Sequence, residues 1–315
     1  MNENNKIIAV CGPTASGKTA LAVELALRLN GEVVSCDSMQ IYKGMEIGTA
    51  APTMEERRGV PHHLVGICSP DRDFSCAEYS ELGKTTADDI LARGKLPVFC
   101  GGTGLYLDSV TAISSYSDSY KDTALREELE RFAEEMGVDA LHERLRKIDP
   151  PAAEATHKNN VRRVIRAIEI FETSGKTKTE WDLLSKEQKP PYDMKMIVLH
   201  FSDRELLYKR IEKRVDLMVR NGLLEEAEHL YSQGLLNEDF PAFQAIGYKE
   251  LIPYLKGEES LETGLERIKQ NTRRYAKRQI TWFKRYKDAI VISPDCDGDI
   301  RPFEDIVAEA TERLN

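Results

Sequence analysis

Gly12-Pro13-Thr14-Ala15-Ser16-Gly17-Lys18-Thr19 decides the fold. The apolar run Ile7-Ile8-Ala9-Val10 precedes it and an amphipathic segment, residues 20–29, follows it. In the spacing G-x-x-x-x-G-K-[ST], successive backbone N–H groups point into one concavity, the lysine reaches the outer phosphates, and the threonine hydroxyl lies where Mg²⁺ binds. The following helix adds the positive end of its dipole. A chance glycine turn would lack both the strand before and the helix after. Gly12, Pro13, Thr14, Ala15, Ser16, Gly17, Lys18 and Thr19 are therefore read as a phosphate-binding loop, with Lys18 and Thr19 as catalytic candidates and Thr19 as the candidate Mg²⁺ ligand. The motif alone leaves open which phosphorylated compound is held.

Outward from this loop the chain reads as α/β. Residues 32–36 form a second strand, and Asp37-Ser38-Met39-Gln40 opens the loop at its carboxyl end, the edge where open parallel sheets bind ligands. Residues 64–67 are expected as a further short strand, with His62 and His63 before it in a structural role. A helix over 75–93 leads to a buried strand over 96–100. That strand ends in Gly101-Gly102-Thr103-Gly104, not in the Asp with which many P-loop hydrolases organise Mg²⁺, and its glycines are expected to let a ligand approach the backbone. Residues 118–190 change character: 125–148 are charged with helical period, Asp149-Pro150-Pro151 breaks them, and 159–173 carry Arg162, Arg163 and Arg166. The strand pattern resumes at 195–201. The expected architecture is a P-loop parallel-sheet core of residues 1–117 and 191–315, with an all-helical insertion at 118–190.

The chain has 315 residues, 41% hydrophobic and 31% charged, which fits a soluble core of this size. No stretch approaches the length of a membrane span, and the chain enters a strand within a few residues, so a cytoplasmic protein without a cleaved leader is expected. The six cysteines show neither C-x-x-C pairs nor regular spacing with histidine; reduced, buried thiols are expected. A net charge of −9 argues against nucleic acid as a partner, but its distribution argues for it. Eight Lys and Arg residues, Lys277 and Arg278 among them, fall between Lys269 and Lys287 with no acidic residue and with aromatic residues interleaved. Phosphate contacts need such cations, although an amphipathic helix with a solvated basic face has the same pattern.

Six motifs, in order, resemble those of the bacterial tRNA dimethylallyltransferases: residues 12–19, 37–50, 101–106, 163–169, 244–249 and 278–283. The resemblance implies transfer of a dimethylallyl group from its diphosphate to N6 of adenine 37, beside the anticodon of tRNAs reading codons that begin with U. It implies that Lys18, the loop amides and Arg214 hold the diphosphate, that Thr19 binds Mg²⁺ or contacts the leaving oxygen, and that Asp37 is the general base toward N6. By the same resemblance Asp37, Ser38, Met39, Gln40, Thr103, Arg126, Arg162, Arg163, Val164, Ile165, Arg166, Gln244, Ala245, Ile246, Gly247, Tyr248 and Lys249 face the anticodon stem-loop, and the protein is a monomer. Two departures are visible: Asp122-Thr123-Ala124 replaces the family's Asp-Pro before the arginine matched by Arg126, and Arg162 stands where relatives often have Gln. An enzyme prenylating free AMP or ADP would share Asp37 and the cradle but needs no tRNA-binding surface; a P-loop small-molecule kinase would use the cradle for ATP.

Overall fold

The computed structural model describes residues 5–111, 122–187 and 189–314. These divide into two compact units, one built from residues 1–110 with 192–315 and the other from 111–191. The expected boundary at 117/118 lies outside the described residues.

The first unit is organised by six parallel strands in the order β3-β2-β4-β1-β5-β6. They are β1 (Lys6–Cys11), β2 (Gly31–Ser35), β3 (His62–His63), β4 (Leu96–Gly101), β5 (Asp193–Leu199) and β6 (Ile290–Ile292). Register runs Val10 to Cys100 on one side of β1 and Val10 to Ile197 on the other. Both faces are covered, so side chains of one strand feed two cores, as the period of two requires. Ile7, Ala9 and Cys11 enter one core. Ile8 and Val10 enter the other, with Leu21 and Leu25 of α1 (Lys18–Arg28) and Val307 of the last helix. The first core is closed by α3 (Cys76–Ala92), α4 (Gly104–Thr111), α10 (Arg204–Arg220), α11 (Leu223–Ser232), α12 (Ile252–Leu255) and α13 (Leu261–Phe283). The short α2 (Met54–Arg57), α14 (Phe303–Leu314) and the hairpin of β7 (Asp295–Cys296) with β8 (Asp299–Ile300) complete the unit. Helix α3 begins in a capping box in which Ser75 and Glu78 satisfy each other's backbone N–H, so its start is set locally.

The strand expected at 64–67 does not form. Leu64 and Gly66 take left-handed φ values of 60° and 61°, which end the extended run. The two histidines before them make the strand instead, and His63 Nε2 lies 2.8 Å from the buried Glu32 carboxylate, which also binds Arg93 and Lys95. All six cysteines are free; four are buried, but Cys76 is half-buried and Cys296 exposed, so the expectation of uniform burial is corrected there.

The second unit is helical: α5 (Thr123–Met136), α6 (Val138–Ile148), α7 (Pro150–Ala155), α8 (Val161–Ser174) and α9 (Lys178–Glu187). The helical stretch expected over 125–148 is two helices, broken where Gly137 adopts φ 88°. Leu129, Leu141, Leu145, Val164, Ile165 and Ile168 form its core. Asp149 accepts from Ala152 N–H at the start of α7 and from the Thr179 hydroxyl of α9 at 2.6 Å, tying the break to the last helix.

Candidate active site

The loop after β1 is shaped by close approach. A Cβ on Gly12 would lie 2.8 Å from the Leu199 carbonyl of β5, and the chain then turns through positive φ at Ala15 (62°) and Gly17 (93°). One internal bond, Ser16 N–H to the Pro13 carbonyl at 3.3 Å, stiffens it. Helix α1 starts at Lys18 with no side chain capping its first N–H groups, which leaves them for an anion. The Ser16 hydroxyl is buried without a partner, a further polar group set for a ligand.

Two cations converge on the loop. Lys18 Nζ donates to the Pro13 carbonyl at 3.4 Å, and Arg214 donates from Nη1 to the Thr14 hydroxyl at 3.2 Å and from Nη2 to the Ala50 carbonyl at 3.4 Å. Burial, then the neighbouring Arg214, lowers the proton affinity of Lys18, and burial does the same to Arg214. Neither forms an ion pair with a carboxylate among the described residues. Two half-buried like charges without an anion are costly, and a bound diphosphate would relieve the cost. Arg210, one helical turn before Arg214, braces the loop by donating to the Ala15 carbonyl at 2.8 Å.

Asp37 follows β2 and faces the same cavity, of about 210 Å³. Its Oδ1 accepts from Met39 N–H at 3.0 Å, an Asx turn that fixes the carboxylate. Ser38 N–H donates to the Thr103 hydroxyl at 3.1 Å. The Gln40 amide accepts from Ser35 and donates to the Thr49 and Ala50 carbonyls. That last segment is anchored by Glu226 of α11, whose carboxylate accepts Ile47 N–H and Gly48 N–H at 2.9 Å each and the Tyr248 hydroxyl at 2.6 Å. A Cβ on Gly48 would fall 2.4 Å from the Tyr248 ring.

The glycines at the end of β4 are needed mainly for packing, which narrows the expectation: of residues 101–104 only Gly101 lines the cavity. A Cβ on Gly101 would meet the Cys36 carbonyl at 2.2 Å, one on Gly102 the Gln279 Nε2 at 1.9 Å, and one on Gly104 the Trp282 Nε1 at 2.0 Å. The space belongs to β2 and α13. Gln279 is buried, accepts from Thr14 N–H at 2.9 Å and donates to the Gly102 carbonyl at 3.2 Å. Ile268, Thr272, Tyr275 and Gln279 recur at helical spacing along the face of α13 that lines the cavity, as Ile211, Arg214, Val215 and Met218 do along α10.

The structure thus gathers Thr14, Lys18, Thr19, Asp37, Ser38, Met39, Gln40, Arg214, Gln244, Ala245, Ile246, Gly247, Lys249 and Arg278 around one cavity. Of the residues expected to face tRNA, three are internal and do not line the cavity. Val164 and Ile165 pack inside the helical unit, and Tyr248 is fully buried against Glu226, because each is the apolar or anchoring side of its motif. Thr103 spends its hydroxyl on Ser38. In the helical unit Arg162 and Arg163 are exposed, while Arg126 and Arg166 bind the buried Glu169 at 2.8 and 2.6 Å. Burial pushes the Glu169 carboxyl up, but these arginines hold it below the usual carboxylate range. Lys277 is exposed on α13. Gln279, inside the motif at 278–283, and Tyr275, one of the interleaved aromatic residues, had no role at the cavity from sequence, and Glu226 was not marked at all; the four-three-four spacing from Ile268 to Gln279 was the available signal for the first two, and Glu226 gave none.

For Mg²⁺, no group of three or more His, Cys, Asp or Glu side chains able to cage a metal occurs among the described residues. The Thr19 hydroxyl and the Asp37 carboxylate on the cavity wall are oxygen donors of the sort Mg²⁺ takes when waters and substrate phosphates complete its shell, so the residues fit that ion. Burial pushes the nearby Cys100 thiol up to about 11, which keeps it a neutral thiol beside Thr19.

Comparison with known proteins gives the same direction. The family model described as IPP transferase matches residues 40–286, and one described as isopentenyl transferase matches residues 5–64. The tRNA dimethylallyltransferase of Caldanaerobacter subterraneus subsp. tengcongensis is 49% identical over 282 residues, covering 89% of each chain. That of Bacillus pumilus is 49% identical over 292 residues, 92% of this chain and 91% of its own. The crystal structure of the full-length tRNA isopentenylpyrophosphate transferase from Bacillus halodurans matches at TM-score 0.72 and 45% identity, over 98% of this chain and 95% of that one. A eukaryotic dimethylallyltransferase solved acting on tRNA matches at TM-score 0.82 and 30% identity, over 98% and 77%. No helix among the described residues is long and apolar enough to cross a membrane. With the family model matching more than half of its length and relatives near one half identical along most of it, the chain belongs to the tRNA dimethylallyltransferase family of IPP transferases.

Proposed function

We propose that this chain, as a cytoplasmic monomer, transfers the dimethylallyl group of dimethylallyl diphosphate to N6 of adenine 37 in tRNAs reading codons that begin with U. The observation that carries the reading is the pair Lys18 and Arg214, half-buried and without a carboxylate partner among the described residues, sharing a cavity with Asp37.

The diphosphate sits against the amides at the start of α1, Lys18 and Arg214. Beside Arg214, the apolar Ile211, Val215 and Met218 line the same cavity and suit the dimethylallyl tail. In the transfer the bond between C1 and the diphosphate oxygen breaks and a bond from N6 to C1 forms. The N6 proton passes to Asp37, and diphosphate leaves with its charge held by the two cations. Because an exocyclic adenine amine is a weak nucleophile, leaving-group stabilisation and alignment supply much of the rate. Thr19 is the residue that would hold Mg²⁺, which when bound neutralises diphosphate charge. The base must leave the anticodon-loop stack to reach Asp37. Phosphate-binding cations for the stem-loop are available on α13 at Lys277 and Arg278, and in the helical unit at Arg162 and Arg163.

The test is mass spectrometry of unmodified tRNA and, separately, AMP after incubation with dimethylallyl diphosphate and Mg²⁺. A prenyl increment mapped to adenine 37 is expected. Product on AMP alone would move the chain to free-nucleotide prenylation, and product on neither would refute the reading.

A further inference from the structure

We propose that Gln279 is a positioning residue for the phosphate loop, and that its two-sided hold on Thr14 and Gly102 sets the geometry in which Lys18 and Arg214 bind diphosphate. The inference rests on the prenyl-diphosphate reading above.

The loop has little stiffness of its own, with one internal backbone bond at Ser16. Its shape therefore comes from outside. Thr14 is where the outside supports meet: its N–H is held by Gln279 Oε1 at 2.9 Å and its hydroxyl by Arg214 Nη1 at 3.2 Å. The preceding Pro13 carbonyl takes the Lys18 ammonium. A shift of Thr14 thus moves the resting partners of both cations. Gln279 Nε2 fixes the other end of the brace on the Gly102 carbonyl at 3.2 Å. The demand is for one acceptor and one donor on a single side chain of this length. A carboxamide meets it, a glutamate lacks the donor, and a lysine lacks the acceptor.

Burial makes the brace consequential, since Gln279 is 3% exposed and losing it leaves the Thr14 N–H and the Gly102 carbonyl without the side-chain partner they have. Gly102 completes the fit, because any side chain there would start 1.9 Å from Nε2. The Tyr275 hydroxyl adjoins Gln279 and Thr103, so the brace is linked through Tyr275 to the residue that holds Ser38 next to Asp37. Lys277 and Arg278, the cations that α13 offers to tRNA, are the two residues immediately before it.

The experiment compares wild type with Gln279→Ala, Gln279→Glu, Gly102→Ala and the double variant Gly102→Ala with Gln279→Ala. The readouts are inorganic diphosphate affinity with Mg²⁺, KM for dimethylallyl diphosphate, KM for tRNA, kcat and Tm. For Gln279→Ala the diphosphate Kd and the prenyl-diphosphate KM are expected to rise about tenfold, the scale of one or two buried hydrogen bonds, with KM for tRNA within about twofold. Gln279→Glu is expected to be worse, since it loses the donor and brings a negative charge to the loop. Gly102→Ala should resemble Gln279→Ala, and the double variant should be no worse than Gln279→Ala, because the methyl fills vacated space.

Unchanged diphosphate affinity in folded Gln279→Ala and Gln279→Glu would overturn the proposal. So would additive penalties in the double variant, or a fall in every parameter in step with Tm. If Gln279→Ala does not fold, Gln279→Glu and the double variant decide the matter by the same readouts. Failure of wild type to prenylate would remove the function reading itself, whereas active wild type with indifferent variants would remove only the role of Gln279.

Discussion

Replacing Asp37 by Asn separates the general base from the fold around it. The Asn side chain keeps an oxygen for Met39 N–H, now accepted by Oδ1 at 3.0 Å, so the turn survives. Alanine would lose that turn and about 0.5–2 kcal/mol with it, as for other local side-chain caps. What Asn removes is the proton acceptor, and losing a positioned base costs about 10² to 10⁴ in rate, or about 2.7–5.5 kcal/mol of barrier. The charge has a second effect of opposite sign. Asp37 raises the proton affinity of both Lys18 and Arg214, and it repels a diphosphate in the same cavity. Neutralising it leaves two cations with less competition, so diphosphate affinity at neutral pH is expected to hold or improve while turnover collapses. Rapid-quench single turnover with saturating anticodon stem-loop gives the chemical step, and calorimetric titration with diphosphate and Mg²⁺ gives the binding. A chemical step within about fivefold of wild type would refute the assignment of Asp37 as base. A large loss of Mg²⁺-dependent diphosphate affinity would instead make Asp37 a holder of the metal.

Three further outcomes follow from the same geometry. Glu226→Ala strips the acceptor from Ile47 N–H and the buried Tyr248 hydroxyl, and leaves Gly48 N–H only the Tyr248 oxygen at 3.1 Å, so urea unfolding should show a loss of about 2–4 kcal/mol; unchanged stability would mean the segment at Ile47 and Gly48 is held by other contacts. Lys277→Ala combined with Arg278→Ala should weaken tRNA binding and flatten the plot of log affinity against log salt by a slope of roughly 1 to 2, and an unaltered slope would return that face to plain solvation. Lys18 titrates below its ordinary 10.5 in the free protein because of burial and Arg214. A bound diphosphate favours its protonated form, so the association constant should be level below that lowered value and fall as pH rises through it. Lys18→Arg, which does not titrate there, should flatten the fall, and affinity of wild type that stays level up to pH 10.5 would contradict the argument.

What was legible in the sequence is what local chemistry determines. A β-strand, a glycine loop and a helix start are neighbours in the chain, so Gly12 to Thr19 announced the cradle, and Asp37 announced itself by following the next apolar run. Where the deciding partner is far along the chain, the sequence misled. Gly101 to Gly104 read as a backbone bared for a ligand, yet the reason for two of those glycines lies at Gln279 and Trp282, and for another at Cys36. Glu226 had no local pattern at all, since its partners Ile47 and Gly48 come nearly two hundred residues earlier. Val164 and Ile165 sat in a motif rich in arginine but face the other way, because a helix that presents Arg162 and Arg163 to solvent must bury the residues next to them.

The same reasoning explains why the motif at 278–283 mixes residues that seem unrelated. Arg278 lines the cavity and its guanidinium lies 5.4 Å from the centre of the Tyr275 ring, while Gln279 braces the phosphate loop and Trp282 fills the space above Gly104. Along one turn of α13, therefore, sit a cation for a polyanion, a brace for the cradle and a wedge against the glycine turn. Changing the helix pitch or register by one residue would displace all three at once. The glycines at 102 and 104 and the residues at 279 and 282 constrain one another as a single fit, and the loop that binds phosphate inherits its shape from the helix that carries the basic face.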